Sequence, residues 1–325
     1  MILSVVIPTL DKEPLLRRTL AALATQEPGP DRPWEIVVVD DGSRDGTAAY
    51  LAAAAAAPGS RLRVVSPGRN VGRARARNLG VGASRGRWVL FLDDDIVAPP
   101  GLLAAHLELL EAAAGVGTIG RVVTAPEVVD APHFAYLDSR GVGRLPAGPA
   151  PARFFVTQNA AVPRAAFLAV GGFDEDFAGY GFEDMELAFR LEDRARVRFQ
   201  VLVSPCPAHV HHHTLQQYLA KKVECGRQSL PHLARLHPGR LREMSLHHAL
   251  DLPGGPAPGL ATRLLRTLTD GPLGRALPRL LAAWPTAAGR RPRAAPLYVR
   301  LMNLAVLAAF REGLRLRSDD ARMAQ

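Results

Sequence analysis

Trp88-Val89-Leu90-Phe91-Leu92-Asp93-Asp94-Asp95 is the stretch whose reading decides the fold. Its apolar run lacks polar residues at alternate positions, the pattern of a strand covered on both faces, as in a parallel sheet. Three carboxylates follow at once, and the breaker pair Pro99-Pro100 comes soon after. Open α/β sheets hold ligands at the carboxyl ends of their strands, so these acids stand where a ligand is bound. Adjacent carboxylates repel one another, and a cation or a network of donors must offset them. A hard divalent ion, Mg2+ or Mn2+ shared with substrate phosphates, meets that need. The competing reading is a solvated acidic turn capping the next helix.

Upstream, the same logic repeats. Residues 2–7 read as a buried strand stopped by Pro8-Thr9, and leucines 15, 16, 20 and 23 give residues 14–25 a helical spacing. A second strand over 34–39 ends in Asp40-Asp41-Gly42-Ser43, where Ser43 can cap the helix expected over 47–57. A strand over 62–66 and a helix over 72–83 complete the run. Strand and helix alternating at this spacing predict βαβ units in a doubly wound, mostly parallel sheet. Neither G-x-G-x-x-G nor G-K-[ST] follows a strand, so a bound diphosphate needs a metal and arginines in place of a glycine cradle. Arg73, Arg75 and Arg77 are the candidates, because guanidinium matches phosphate oxygens bidentately.

Downstream, residues 116–123 and 154–162 read as strands, with a Pro- and Gly-rich loop over 124–152 between them. Glu183-Asp184 open a helix whose buried face carries Leu187, Ala188 and Leu191. Acids in a first turn favour the helix dipole, and a carboxylate there also suits a general base. After a strand at 201–204 come His209, His211, His212 and His213. Alternate positions of an extended segment share a face, and imidazole is a common ligand of divalent metals.

Six segments resemble family 2 glycosyltransferases in order and spacing: Val6-Ile7-Pro8-Thr9, Val38-Val39-Asp40-Asp41-Gly42-Ser43, Asn70-x-Gly72 with Ala76-Arg77-Asn78, Phe91-Leu92-Asp93-Asp94-Asp95, Gly171-Gly172-Phe173-Asp174-Glu175, and Gly179-Tyr180-Gly181-Phe182-Glu183-Asp184. The resemblance covers about residues 1–230. It implies a GT-A fold and a hexosyltransferase-type enzyme. The expected donor is a nucleotide-diphosphate sugar, with a UDP-sugar first, and inversion at the anomeric carbon is the expected outcome. By the same resemblance Asp40 reads the nucleobase, with Pro8, Thr9 and Asp11 around the nucleoside. Arg77 contacts the donor, and Asp93 and Asp95 are the outer positions of the D-x-D motif. Asp95 is then the direct metal ligand, Asp94 reaches the ribose, and Asn159 lies in the segment facing the sugar. Asp184 is the implied base, with Glu183 orienting an acceptor hydroxyl on a glycan, lipid or small molecule. His211 or His212 completes the metal site. The Pro205-Cys206 to histidine segment also resembles galactosyltransferases and polypeptide N-acetylgalactosaminyltransferases, which keeps a retaining transfer open. A binding protein with an inert site is the rival of another class.

This places a GT-A domain at 1–236, with a nucleotide-binding half near 1–100 and an acceptor half at 101–236. A linker at 237–259 and a basic helical region at 260–325 follow. An amphipathic helix is expected over 215–236, and 297–316 is the longest helix expected in the tail, because prolines 278, 285, 292 and 296 interrupt it. Hydrophobic content of 48% and charged content of 22% exclude a disordered chain. Two cysteines, Cys206 and Cys225, exclude a disulfide framework. No signal pattern opens the chain and no apolar run reaches the ~18–20 residues of a spanning helix, so a cytoplasmic protein is expected. Eleven arginines against two acids in residues 260–317 carry the whole net charge of +9. That stretch fits peripheral contact with the inner face of a membrane, and nucleic acid is not expected as a partner.

Overall fold

The computed structural model describes residues 1–128, 131–177, 179–211, 213–251, 257–284 and 296–323. In chain order the elements are β1 (Leu3–Thr9), α1 (Glu13–Ala24), β2 (Trp34–Asp40), α2 (Thr47–Ala56), β3 (Leu62–Val65), α3 (Arg73–Ala83), β4 (Trp88–Leu92), β5 (Ile96–Val97), α4 (Leu102–Ala112), β6 (Val116–Gly120) and β7 (Val123–Thr124). Then follow α5 (Pro132–Asp138), β8 (Gly148–Ala150), β9 (Asn159–Pro163), α6 (Arg164–Ala169), α7 (Glu183–Ala195), β10 (Arg198–Leu202) and β11 (Ala208–His209). The remaining helices are α8 (Leu215–Arg227), α9 (Ser229–Leu236), α10 (Leu260–Asp270), α11 (Pro272–Ala282) and α12 (Pro296–Met323). They form two compact units. The first comprises Met1–Val128, Arg140–Glu175 and Asp184–His212; the second comprises Val129–Ser139, Asp176–Glu183 and His213–Gln325.

The first unit is built on an eight-stranded sheet in the order β3-β2-β1-β4-β9-β6-β10-β8. Strands β1 to β4 are mutually parallel where they pair, β6 is parallel to β10, and β9 and β8 are antiparallel to their neighbours. Every residue of β2 and β4 is buried, as the unbroken apolar run of β4 required, and in β2 the buried Glu35 accepts from Ser4 Oγ at 2.7 Å. Leu3, Val5 and Ile7 of β1 pack with Leu16 and Leu23 of α1 and with Leu103 and Leu107 of α4 in one core. Among the aromatic residues, the Phe91, Phe167 and Phe173 rings stack at centroid distances of 5.4–5.7 Å. A smaller sheet, β5-β11-β7, lies at the end of β4. The strand expected over 154–162 starts only at Asn159, because residues 152–154 turn as a 3-10 helix and Thr157 bonds to α7. The loop expected over 124–152 contains α5 and the edge strand β8.

The second unit packs α8, α11 and α12 around Leu215, Leu219, Leu277, Leu281, Tyr298 and Met302. The single helix expected over 215–236 is broken between α8 and α9. Pro231 has no N–H to give the Arg227 carbonyl, and its ring crowds that oxygen. A Cβ at Gly226 would stand 2.1 Å from the Phe310 carbonyl oxygen, so glycine sets how closely α8 and α12 cross. The last segment of that unit runs from His213 to Gln325. Within the expected linker, Leu241, Leu246 and Ala249 are buried, while residues 252–256 lie outside the described residues.

One buried group ties the first unit's stability to pH. His106 of α4 is fully buried, with Nδ1 2.7 Å from Thr118 Oγ1 and Nε2 2.9 Å from Asn159 Oδ1. Burial pushes its pKa down to about 4, against the bond to Asn159. An unfolded histidine protonates near 6.5, so the fold, which holds the ring neutral, loses stability as pH falls from about 6.5 to about 4. The loss attributable to this group is roughly 3 kcal/mol. Urea midpoints at pH 7 and 4.5 should therefore drop further for the wild type than for His106→Gln; equal drops would refute the assignment.

Candidate active site

Apart from Glu183, the residues of the site belong to the first unit. Because β1 pairs in parallel with both β2 and β4, three carboxyl ends come side by side: Thr9 is in register with Asp40, and Val6 with Phe91. After β4 the chain turns tightly, with Ile96 N–H donating to the Asp93 carbonyl at 3.3 Å. Asp94 and Asp95 are buried in that turn, while Asp93 keeps a third of its side chain exposed. Asp94 Oδ2 accepts from Thr9 Oγ1 at 2.8 Å. Lys12 Nζ donates to Asp94 Oδ1 at 2.9 Å and to Asp95 Oδ2 at 2.8 Å.

The second partner of this turn comes from β11. It pairs antiparallel with β5, setting His209 opposite Ile96, and Val210 N–H donates to the Asp95 carbonyl at 3.0 Å. His209 Nε2 consequently stands 3.1 Å from Asp95 Oδ1. Burial pushes Asp94 up to about 6 despite Lys12, with the neighbouring Asp95 charge adding to the rise. Burial also acts to raise Asp95, but His209 and Lys12 together outweigh it and hold that carboxyl below the usual range. Lys12 shows the counterpart: burial acts to lower its pKa, and the Asp94 and Asp95 charges reverse the sign and raise it.

A loop network sets the neighbouring strand end. Asp40 Oδ1 accepts Ser43 N–H at 2.9 Å, Ser43 Oγ accepts Asp11 N–H at 3.0 Å, and Asp11 Oδ1 accepts Arg44 N–H at 2.6 Å. Ser43 therefore does not cap α2: that helix starts at Thr47, whose N–H bonds to Asp45 Oδ1 at 3.0 Å. Asp41 accepts N–H groups from Val71 at 2.7 Å and Gly72 at 3.1 Å, fixing the loop that leads into α3. Gly42 has φ +88°, and a Cβ there would lie 2.7 Å from Asn70 N, so only glycine lets the two loops touch.

From α3, Arg77 reaches into this cluster. It is buried, with Nη2 donating to Asp93 Oδ1 at 3.1 Å, Nη1 3.8 Å from Asp184 Oδ1, and its guanidinium 5.8 Å from the Phe173 ring. Asp184, in the first turn of α7, accepts from Thr157 Oγ1 at 3.0 Å and Thr157 N–H at 3.3 Å. Thus one guanidinium stands between the acid turn and the carboxylate of α7. Arg73 and Arg75 are exposed, and Arg75 faces Glu175 at 3.7 Å.

The structure brings together Thr9, Asp93, Asp94, Asp95, Arg77 and Asp184, with Pro8 in register beside Val39 and Asp11 on the Asp40 loop. Asn159 departs from the expectation of a sugar-facing group: its side chain is buried, Oδ1 bonded to His106 and Nδ2 donating to the Arg121 carbonyl at 3.2 Å. Glu183 is buried at the first residue of α7. Of the histidines in this segment, His209 stands beside Asp95, two residues before His211, and His212 lies outside the described residues. The reason is register, because the strand that pairs with β5 stops at His209. Lys12 and Thr157 are further residues that patterns did not single out. Lys12 is one of only three lysines in the chain, a compositional oddity that could have marked it.

A divalent cation fits this donor set. The buried Asp95 Oδ1 satisfies no hydrogen-bond geometry, although His209 Nε2 is 3.1 Å away. Such a spacing also suits two ligands at a right angle on an octahedral ion with bonds of about 2.1 Å. A carboxylate and an imidazole suit Mg2+ or Mn2+.

Comparison with known proteins agrees with the fold. The model of glycosyl transferase family 2 matches residues 4–171, and that of the N-terminal domain of galactosyltransferase matches residues 147–213. Validoxylamine A glucosyltransferase of Streptomyces hygroscopicus subsp. limoneus is 34% identical over an alignment of 224 residues that covers 58% of this chain and 48% of that protein. The chain spans about half the length of the validoxylamine A glucosyltransferases it matches. A mannosyltransferase from Pyrobaculum calidifontis, in complex with GDP-Man and Mn2+, superposes with a TM-score of 0.57 at 20% identity, over 97% of this chain and 86% of its own. TarS 1-349 of S. aureus, in complex with UDP-GlcNAc, gives 0.55 at 16% identity, over 100% and 93%. At these identities the structural likeness concerns the fold.

The Lys12 bridge is testable by stability alone. Lys12→Met should destabilise the chain at pH 7.5 by roughly 1–2 kcal/mol, a figure discounted because a third of the lysine faces solvent. The deficit should narrow at pH 5, because Asp94 gains its proton below about 6 and no longer needs the ammonium. Thermal melts at the two pH values decide; an equal deficit at both would remove Asp94 from the account.

Proposed function

This chain belongs to glycosyl transferase family 2, and on that premise we propose that it is a metal-dependent, inverting glycosyltransferase. Its donor is a nucleotide-diphosphate sugar, with a UDP-sugar as first choice, and its acceptor is a hydroxyl. The observation that carries the reading is Arg77, 3.1 Å from Asp93 and 3.8 Å from Asp184, which links a cation-binding turn to a candidate base. The complexes of the mannosyltransferase with GDP-Man and Mn2+ and of TarS with UDP-GlcNAc support a nucleotide-sugar donor, and the former supports a divalent metal.

In this reading the nucleoside lies over the ends of β1 and β2, among Pro8, Thr9, Asp11 and Asp40. Asp40 Oδ1 is bonded to Ser43 N–H, which orients Oδ2 for the base. Asp93 and Asp94 line the ribose and diphosphate side. Asp95 and His209 would hold Mg2+ or Mn2+, which would supply positive charge against the departing diphosphate. Asp184 takes the proton of the acceptor hydroxyl, with Glu183 beside it in the chain. The hydroxyl oxygen forms a bond to the anomeric carbon on the face opposite the diphosphate. The carbon–oxygen bond to the diphosphate breaks with its electron pair going to the leaving oxygen, so configuration inverts. Thr157 orients Asp184, and Arg77 offers a fixed positive charge on the donor side.

Asp184→Asn should bind donor with unchanged affinity yet transfer at least ~100-fold more slowly, as loss of a general base does. Full transfer by that variant would sink the base assignment. A panel of nucleotide sugars read by thermal shift identifies the donor, and NMR of the product's anomeric proton separates inversion from a retaining transfer. His209→Ala should weaken Mn2+ binding in calorimetry by ~10-fold or more.

A further inference from the structure

We propose that the second unit carries a docking face for an anionic lipid surface, formed by the outward sides of α10 and α11. The inference is independent of the transferase chemistry. On α10, Thr262 and Thr269 turn inward, while Leu260, Leu264 and Leu268, spaced four apart, are 74%, 56% and 45% exposed. Steps of four place them in one stripe along the helix. On α11, Gly274, Leu277 and Leu281 are buried, and Leu273 and Leu280, two turns apart, are exposed. Both helices pack on α12 and on each other, so both leucine stripes face away from it. A soluble surface rarely leaves so regular an apolar stripe without a partner.

Charge selects the partner. Arg263, Arg275 and Arg279 are exposed on the same two helices, and none has a carboxylate partner among the described residues. Asp270, one of the two acids within 260–317, is already bonded to Arg311 through Nε at 2.7 Å and Nη2 at 2.5 Å. The face therefore presents leucines bordered by uncompensated arginines. Helices that lie in a membrane interface have this pattern, sinking the apolar stripe between headgroups while the cations meet lipid phosphates. A second copy of the chain would bring like charges together over the leucines, and nucleic acid would leave the leucines in water. No described helix is long and apolar enough to cross a membrane, so contact is at the surface.

The test is sedimentation of the full chain with vesicles of phosphatidylcholine alone and of phosphatidylcholine with roughly one third phosphatidylglycerol. The chain should sediment with the anionic vesicles and stay in solution with the neutral ones. Leu260→Ser combined with Leu264→Ser should cut the bound fraction ~10-fold, as should Arg263→Glu combined with Arg279→Glu, both with wild-type thermal melts. Equal binding to both vesicle types overturns the proposal. So does full binding by the leucine variant, which would make the contact purely ionic. A wild-type dimer that the leucine variant dissociates would overturn it too, by assigning the stripe to self-association. Nucleotide-sugar hydrolysis in solution should be unchanged in both variants, so failure here leaves the transferase reading untouched.

Discussion

Asp94 and Asp95 are adjacent, buried and acidic, and that arrangement holds only because Lys12 and His209 reach them from elsewhere in the chain. Lys12 comes from the loop after β1 and His209 from β11, far away in sequence. Neither can be in place until β1 has paired with β4 and β11 with β5. The acid turn is therefore the point on which the sheet's topology and the site's electrostatics depend together. It also explains the opposite shifts of the two carboxyls: burial acts to raise both, and only at Asp95 do His209 and Lys12 together outweigh it.

A second chain of positioning runs from Asp41. Its carboxylate holds the backbone of Val71 and Gly72, this loop starts α3, and α3 delivers Arg77 between Asp93 and Asp184. Asp184 is in turn oriented by Thr157. Groups held through backbone amides and rigid elements keep their geometry, as a site for group transfer requires. Family 2 membership and the α/β fold with its helical C-terminal region agree with this arrangement.

The second unit follows different rules. Its core is an ordinary helical one, closed by a glycine at the α8–α12 crossing and by the Asp270–Arg311 pair. What sets it apart is the outer surface, where leucines and arginines alternate around α10 and α11.

Sequence alone determined the parallel strands and the helices between them, since all-apolar runs and 3.6-residue spacings report burial directly. It also marked Asp40, Asp93–Asp95 and Asp184, because strand ends and a helix start are local features, whereas the family resemblance singled out Arg77 from the three arginines of α3. Tertiary structure decided the rest. Which histidine meets Asp95 depends on a strand register of two residues, and periodicity carries no information about register. Lys12 became the counter-cation through a pairing more than eighty residues away, and Asn159 turned into the core through His106 and the Arg121 carbonyl. The break between α8 and α9 lay in plain view at Pro231, but only the packed helices show where the chain resumes. Local pattern determines which residues are buried or at an end; long-range pairing decides which of them touch.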